Sequence, residues 1–193
     1  MRKLVVTNVV SLDGYCAGPG GNPMALPMDG FFDDHNAERL RAADTLLLGR
    51  STYEMFSGFW PAVADDEGAS PTNREISRLN GAVAKVVVSD SLTDLDGPWA
   101  ATTTIVRRAD AHGAVAELKE GDGGDVLVFG SHVLWNDLLA AGLVDELHLM
   151  IGPTALGDGV PAFTGGTPSA FRLRGVRTAE GSDNVLMSYE MGV

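Results

Sequence analysis

The chain has 193 residues, 45% of them hydrophobic and 21% charged, a composition that supports an ordinary globular core without a metal or disulfide staple. Its 26 acidic and 14 basic residues give a formal charge of −12, which excludes a general duplex-binding surface because such a surface must neutralise several phosphates with Lys and Arg. Cys16 is the lone cysteine, so an internal disulfide and a multi-cysteine zinc site are excluded as well.

The opening segment Met1 to Asn8 turns polar too soon for a signal peptide, and no apolar run approaches the ~18 residues of a membrane span. The expectation is a cytoplasmic protein of a single domain, residues 1–193, with a small-molecule substrate and neither nucleic acid nor membrane as partner. Lys3 to Leu12 is short, β-branched and apolar, the pattern of a buried strand, and Asp13-Gly14 breaks it. A long loop follows, punctuated by Gly18-Pro19-Gly20-Gly21-Asn22-Pro23 and Pro27. Such a loop inside a compact fold is either a flap over an active site or a surface insertion. Phe31, Phe32 and Leu40, with Asp33 and Asp34 early and Arg39 and Arg41 late, predict a short helix ending near Ala43 whose charges complement its dipole.

Thr45 to Gly49 reads as a second buried strand, and Ser51-Thr52-Tyr53-Glu54 as a capping box that starts a helix, with a loop after Trp60-Pro61. Ser70-Pro71 opens another helix, closed by Gly81. Lys85 to Ser89 and Thr102 to Val106 are strands, followed by a helix from Asp110 to Lys119. Asp125 to Phe129 is a strand that runs into Gly130-Ser131, where Ser131 is the expected cap of a helix ended by Gly142. Leu143 to Ile151, Phe171 to Thr178 and Val185 to Met191 then read as strands with no helix between them. The alternation shifts from βα units to an all-strand end, so the expected sheet is mixed, parallel in the middle and antiparallel at the C-terminal edge.

Two junctions carry chemistry. At Gly49-Arg50-Ser51-Thr52 a helix start offers unpaired amides, hydroxyls and a guanidinium to one point, which suits a phosphate. At Phe129-Gly130-Ser131-His132 a strand feeds a glycine and then helix amides able to face a pyrophosphate. With Ser89-Asp90-Ser91 at a third strand end, these would line the carboxyl edge where open α/β sheets bind ligands. The G-x-G-x-x-G and Gly-Lys-Ser/Thr fingerprints are absent, and Ser131 lacks the G-x-S-x-G elbow of a hydrolase. His35, His112, His132 and His148 lack metal-ligand spacing; of these only His132 stands beside a phosphate-type junction. Asp13 and Asp33 are the acids nearest the flap, each able to protonate or anchor a polar heterocycle, or simply to shape a turn and favour a helix dipole.

Taken together, Thr7 to Tyr15, Leu48-Gly49-Arg50-Ser51-Thr52-Tyr53-Glu54, Val87-Val88-Ser89 and Val128-Phe129-Gly130-Ser131 resemble the dihydrofolate reductase-like superfamily. Gly142 to Leu147, Pro153, Leu156-Gly157-Asp158-Gly159 and Phe163 resemble its branch containing the reductase domain of bacterial riboflavin biosynthesis. The resemblance implies a three-layer α-β-α fold and bound NADPH. Gly49, Arg50, Ser51, Thr52 and Ser89 would lie toward the adenosine 2′-phosphate, and Phe129, Gly130, Ser131, His132 and Val133 at the pyrophosphate. Asn8 and Val9 would face the nicotinamide, with the loop from Asp13 over the ring. It implies an NADPH-dependent reductase of a pterin or aminopyrimidine-like heterocycle; the alternative is a nucleotide- or flavin-binding module without turnover. A homodimer through the C-terminal strands is compatible with either.

Overall fold

A computed structural model describes residues 1–165 and 170–192. The strand β1 (Leu4–Val10) is buried along its whole length, which is why it reads as mostly apolar, broken only by Thr7 and Asn8, rather than as an alternation. It lies in the middle of an eight-stranded sheet with β3 (Ala43–Gly49), β4 (Ala84–Val88), β5 (Thr103–Val106), β6 (Asp125–Phe129), β7 (Glu146–Ile151), β9 (Phe171–Arg177) and β10 (Val185–Met191). The spatial order is β5-β4-β3-β6-β1-β7-β10-β9. From β5 to β7 every pairing is parallel, while β10 runs antiparallel to both β7 and β9. The mixed sheet and its antiparallel C-terminal edge are as the alternation of elements predicts.

Successive side chains of a strand point to opposite faces, and the two helical layers divide accordingly. Leu4, Val6, Leu47, Val126 and Val128 pack under α4 (Ala111–Glu120) and α5 (His132–Ala140), through Val115, Leu134, Trp135 and Leu138. Val5, Leu46, Leu48, Leu127 and Phe129 pack under α1 (Gly30–Ala42), α2 (Arg50–Val63) and α3 (Pro71–Ala82), through Leu40, Tyr53 and Ile76. A smaller cluster of Val9, Leu26, Phe31, Met150 and Leu186 closes the space beneath the segment that leads into α1.

Several local expectations are corrected. β1 stops at Val10, because the amide of Ser11 turns back to the carbonyl of Tyr15. The glycine-rich stretch is not featureless: β2 (Tyr15–Ala17) pairs antiparallel with β8 (Val160–Pro161). The Ser51-to-Glu54 capping box does not form, since β3 runs to Gly49 and α2 begins at once at Arg50; Glu54 instead accepts from Arg50 Nε at 2.6 Å. α2 continues through Pro61 to Val63, Pro61 removing one backbone bond near its last turn without ending it, and the expected acidic loop with Asp65, Asp66 and Glu67 follows. The Ser70 cap of α3 is observed, its hydroxyl accepting from the amide of Asn73 at 3.0 Å.

Candidate active site

Parallel pairing brings the carboxyl ends of six strands to one edge. Gly49 lies opposite Val88, Val88 opposite Val106, Phe129 opposite Thr7 and Val10 opposite Ile151. The two phosphate-type junctions therefore sit side by side on adjacent strands, β3 and β6. They are bonded to each other: the amide of Gly49 donates to Ser131 Oγ at 3.0 Å, and the amide of Ser131 donates to Thr52 Oγ1 at 3.2 Å.

That lock explains an unusual backbone. Ser131 has φ 49° and ψ 44°, a left-handed conformation that costs a non-glycine residue on the order of 1 kcal/mol. Gly130 before it has φ 53°. Two successive residues with positive φ carry β6 directly into α5, whose first amides, at His132 and Val133, have no partner within the helix. Ser131 stands at the cap position of α5, but no side-chain cap bond forms, so the expected capping role is corrected: its hydroxyl is spent across the sheet on Gly49. Val133 projects into solvent, whereas Phe129 is buried against Phe56. Phe129 thus shapes the junction from below, and a contact from it to a ligand would come from its backbone.

Arginines gather at the neighbouring strand ends. The Arg50 guanidinium, half exposed, binds Glu54 through Nε and donates from Nη1 to Ser91 Oγ at 2.9 Å. Arg107 donates to the carbonyl of Asp90, and the Arg108 amide donates to Asp90 Oδ1 at 3.0 Å. Three cationic side chains thus flank the 89–91 turn of a chain with net charge −12. Ser89 itself is buried, its hydroxyl accepting the amides of Ser91 at 3.2 Å and Leu92 at 3.0 Å. Ser89, expected toward the 2′-phosphate end, thus spends its hydroxyl on the turn that carries Ser91. Arg107 and Arg108 are not foreseen from the sequence, although Arg107 directly follows a predicted strand just as Arg50 does, and that position is the signal that marks them.

Closer to the middle of the sheet, Asn8 Nδ2 donates to the carbonyl of Gly130 at 3.4 Å, tying β1 to the β6 junction, and Val9 is buried beside Leu26 and Phe31. Asp33 lies in the first turn of α1; burial pushes its carboxyl up to about 6, opposed by a hydrogen bond from Asn73 and reinforced by the charges of Asp34 and Asp29. Asp13 is different. It is exposed and accepts from Ser11 Oγ and from the amides of Gly157 and Leu156, which hold its carboxyl down at about 2. A carboxyl held ionised in this way fits the tying of loops together better than the delivery of a proton. The helix cap Asp29, whose side chain accepts from Phe32 N and from Ser182 Oγ at 2.5 Å, is a further acid at this end that sequence reasoning passes over.

The histidines are dispersed by the fold: His112 pairs with Asp137 on the surface, while His35 and His148 stack in the interior with ring centroids 5.3 Å apart. Among the described residues no group of three or more His, Cys, Asp or Glu is arranged to hold a metal. Among the described residues no helix is long and apolar enough to cross a membrane.

The RibD C-terminal domain model matches residues 2–187. The chain belongs to the RibD C-terminal domain family. Within reach of this family by sequence is the uncharacterized protein YyaP of Bacillus subtilis (strain 168), 29% identical over 165 residues, which cover 84% of this chain and 80% of YyaP. The deaminase/5-amino-6-(5-phosphoribosylamino)uracil reductase of Thermotoga maritima superposes with a TM-score of 0.69 at 14% identity, over 99% of this chain and 57% of that one. Dihydrofolate reductase of Enterococcus faecalis, solved with NADP(H), superposes with a TM-score of 0.63 at 16% identity, over 99% of this chain and 97% of that one. At such identities the two structures show a shared three-layer fold. Family membership and these neighbours give the chain a reductase-type fold.

Proposed function

We propose that the chain is an NADPH-dependent reductase of a small, flat, polar heterocycle of the pterin or aminopyrimidine type, which includes a 5-amino-6-(5-phosphoribosylamino)uracil-like acceptor. The observation that carries this reading is the mutual lock of the two βα corners, Gly49 to Ser131 and Ser131 to Thr52. It supports one extended dinucleotide spanning both. The residues fit such a ligand: the left-handed Gly130-Ser131 turn lets a pyrophosphate approach backbone amides at a helix start. Arg50 stands beside the exposed Ser51 and Ser91 for a 2′-phosphate.

When bound, reduced nicotinamide supplies the hydride; the protein supplies position and a proton. Asn8 and Val9 form the floor at the end of β1 on which the ring would rest. Reduction of a C=N bond places hydride on carbon and a proton on nitrogen, and Asp33, partly protonated near pH 6, is the group suited to give or relay it. Arg50 would exchange its exposed Glu54 partner, a pair worth only ~0.3–0.5 kcal/mol, for a charge-assisted bond to phosphate.

Fluorescence titration tests the reading. Wild-type protein binds NADPH more tightly than NADH, and Arg50→Ala weakens NADPH by about tenfold or more while leaving NADH nearly unchanged. Failure of the wild type to bind any reduced nicotinamide overturns it.

The same reading includes a homodimer through the C-terminal strands. β9 is an edge strand, and its Leu173 and Val176 are 51% and 55% exposed, an apolar edge of the kind that proteins cover. Sedimentation velocity should give a dimer that Leu173→Glu converts to monomer; a wild-type monomer at all concentrations removes this part.

A further inference from the structure

We propose that Asp13 is a positioning residue whose carboxylate straps the segment after β1 to the segment after β7, so that the wall above the end of β1 is held in place before any ligand arrives. This rests on the reductase reading for what the wall covers, but the strap itself is a matter of geometry. Oδ1 of Asp13 accepts from Ser11 Oγ at 2.6 Å and from the amide of Leu156 at 3.0 Å, while Oδ2 accepts from the amide of Gly157 at 2.7 Å.

The bland account of an Asp before Gly in a turn is a local bond to its own backbone neighbours. That account covers Ser11 only. The other contacts reach across 143 and 144 residues of sequence to two successive amides, with Gly157 at φ 73°. Paired amides of this kind make an anion-binding concavity, and here the anion is part of the chain itself. In a protein of net charge −12, a solvent-exposed carboxylate that accepts three hydrogen bonds, two of them from distant amides, is not a spare surface charge.

The strap is the outermost of a series of ties. The amide of Leu12 donates to the carbonyl of Thr154 at 2.8 Å, and the amide of Ala162 donates to the carbonyl of Gly14 at 2.8 Å. β2 then pairs with β8, where Tyr15 faces Pro161. These bonds fix the backbone on both sides of Leu12, and the Leu12 side chain, 66% exposed, is held out at the sheet edge beyond Val10. A loop free to move would bury or release such a side chain. Here its position is set by a carboxylate rather than by packing, so cutting the carboxylate should loosen the wall without unmaking the core below it.

The arrangement predicts an asymmetry between the two ends of a dinucleotide. Arg50, Ser91 and Ser131 sit on the ends of β3, β4 and β6, and none of them bonds to the strapped segments. The end of β1 lies directly under those segments. Loss of the strap should therefore be felt by the nicotinamide half and not by the adenosine phosphate half.

Hydrogen exchange and ligand titration on Asp13→Ala, Asp13→Asn and Ser11→Ala in the full-length chain test this together. In the wild type the amides of Leu156 and Gly157 are protected; in Asp13→Ala they should exchange about tenfold faster or more, with core strands unchanged. Asp13→Asn keeps one acceptor oxygen and turns an NH2 toward Gly157, so it should fall between, and Ser11→Ala should have the smallest effect. The ligand probes are 2′,5′-ADP, which reaches only the phosphate end, and NADPH. Asp13→Ala should weaken NADPH by about tenfold and suppress the fluorescence shift of its buried ring, while 2′,5′-ADP stays within about twofold. Unchanged exchange at Leu156 and Gly157 overturns the strap. Equal weakening of both probes overturns the positioning role. Wild-type protein that binds neither probe refutes the reductase reading and the role assigned to the wall, while the exchange result still decides the strap.

Discussion

Asp33 stands in the first turn of α1, where a helix dipole favours a carboxylate by ~0.3–1 kcal/mol, yet partial burial outweighs it and lifts the group to about 6. Its folded-state value lies above the unfolded one. Its contribution is therefore favourable below about pH 4 and is lost as pH rises through about 6. Asp33→Asn should stabilise the protein at pH 7 by about 1 kcal/mol, after allowance for its partial solvation, in chemical denaturation. The same variant should flatten the fall in turnover above pH 6 if Asp33 delivers the proton. A variant as active as wild type at pH 8 with an unchanged pH profile removes Asp33 from the chemistry.

His35 on α1 and His148 on β7 show the opposite sign. Burial drives His35 down to about 3, with His148, Arg39 and Arg177 adding repulsion and Glu38 opposing it; burial and then Arg39 lower His148, with Glu146 and Glu38 opposing. Lys3, which binds Glu146 at 2.7 Å, Asp125 and Arg177 complete the charged surroundings of the pair. The folded values lie below the unfolded 6.5, so the neutral rings contribute stability that is present above that pH and lost as it falls toward 3. Urea midpoints should decline from about pH 6 to 4 with a slope near ~1.4 kcal/mol per pH unit for each proton taken up. His35→Leu should reduce that slope; an unchanged slope places the acid sensitivity elsewhere.

At the scale of elements, the pairing of β2 with β8 depends on a glycine. Gly159 has φ 151°, and a Cβ there would lie 2.2 Å from the carbonyl oxygen of Ala17. Gly159→Ala must displace one strand from the other and should cost about 2 kcal/mol or more in denaturant, with faster exchange from Tyr15 to Ala17. Full stability in that variant would show that the two short strands contribute little. This pair also marks the limit of what sequence shows. β1, β3 and β6 are legible because each carries a run of large apolar residues, and α3 because Ser70 and Pro71 announce it. β2 and β8 are three and two residues long and find each other across more than half the chain; no local periodicity encodes that. For the site, Gly49-Arg50 and Gly130-Ser131 were legible as junctions, but hydroxyl partners were not. Ser89 and Ser131 look alike in sequence to a ligand-binding serine, and only the fold directs one to its own turn and the other to a neighbouring strand.

For the whole molecule, the sheet order places the first strand between two late ones. β1 takes Val126 to Phe129 on one side and Glu146 to Ile151 on the other as its neighbours. On a ribosome, a nascent chain that has emerged only through β5 therefore carries its most apolar strand with both edges bare, and must keep it from other chains until residues beyond 125 arrive. Stalled chains cut before β6 should engage a holding chaperone through Leu4 to Val10, and chains released after β10 should let it go.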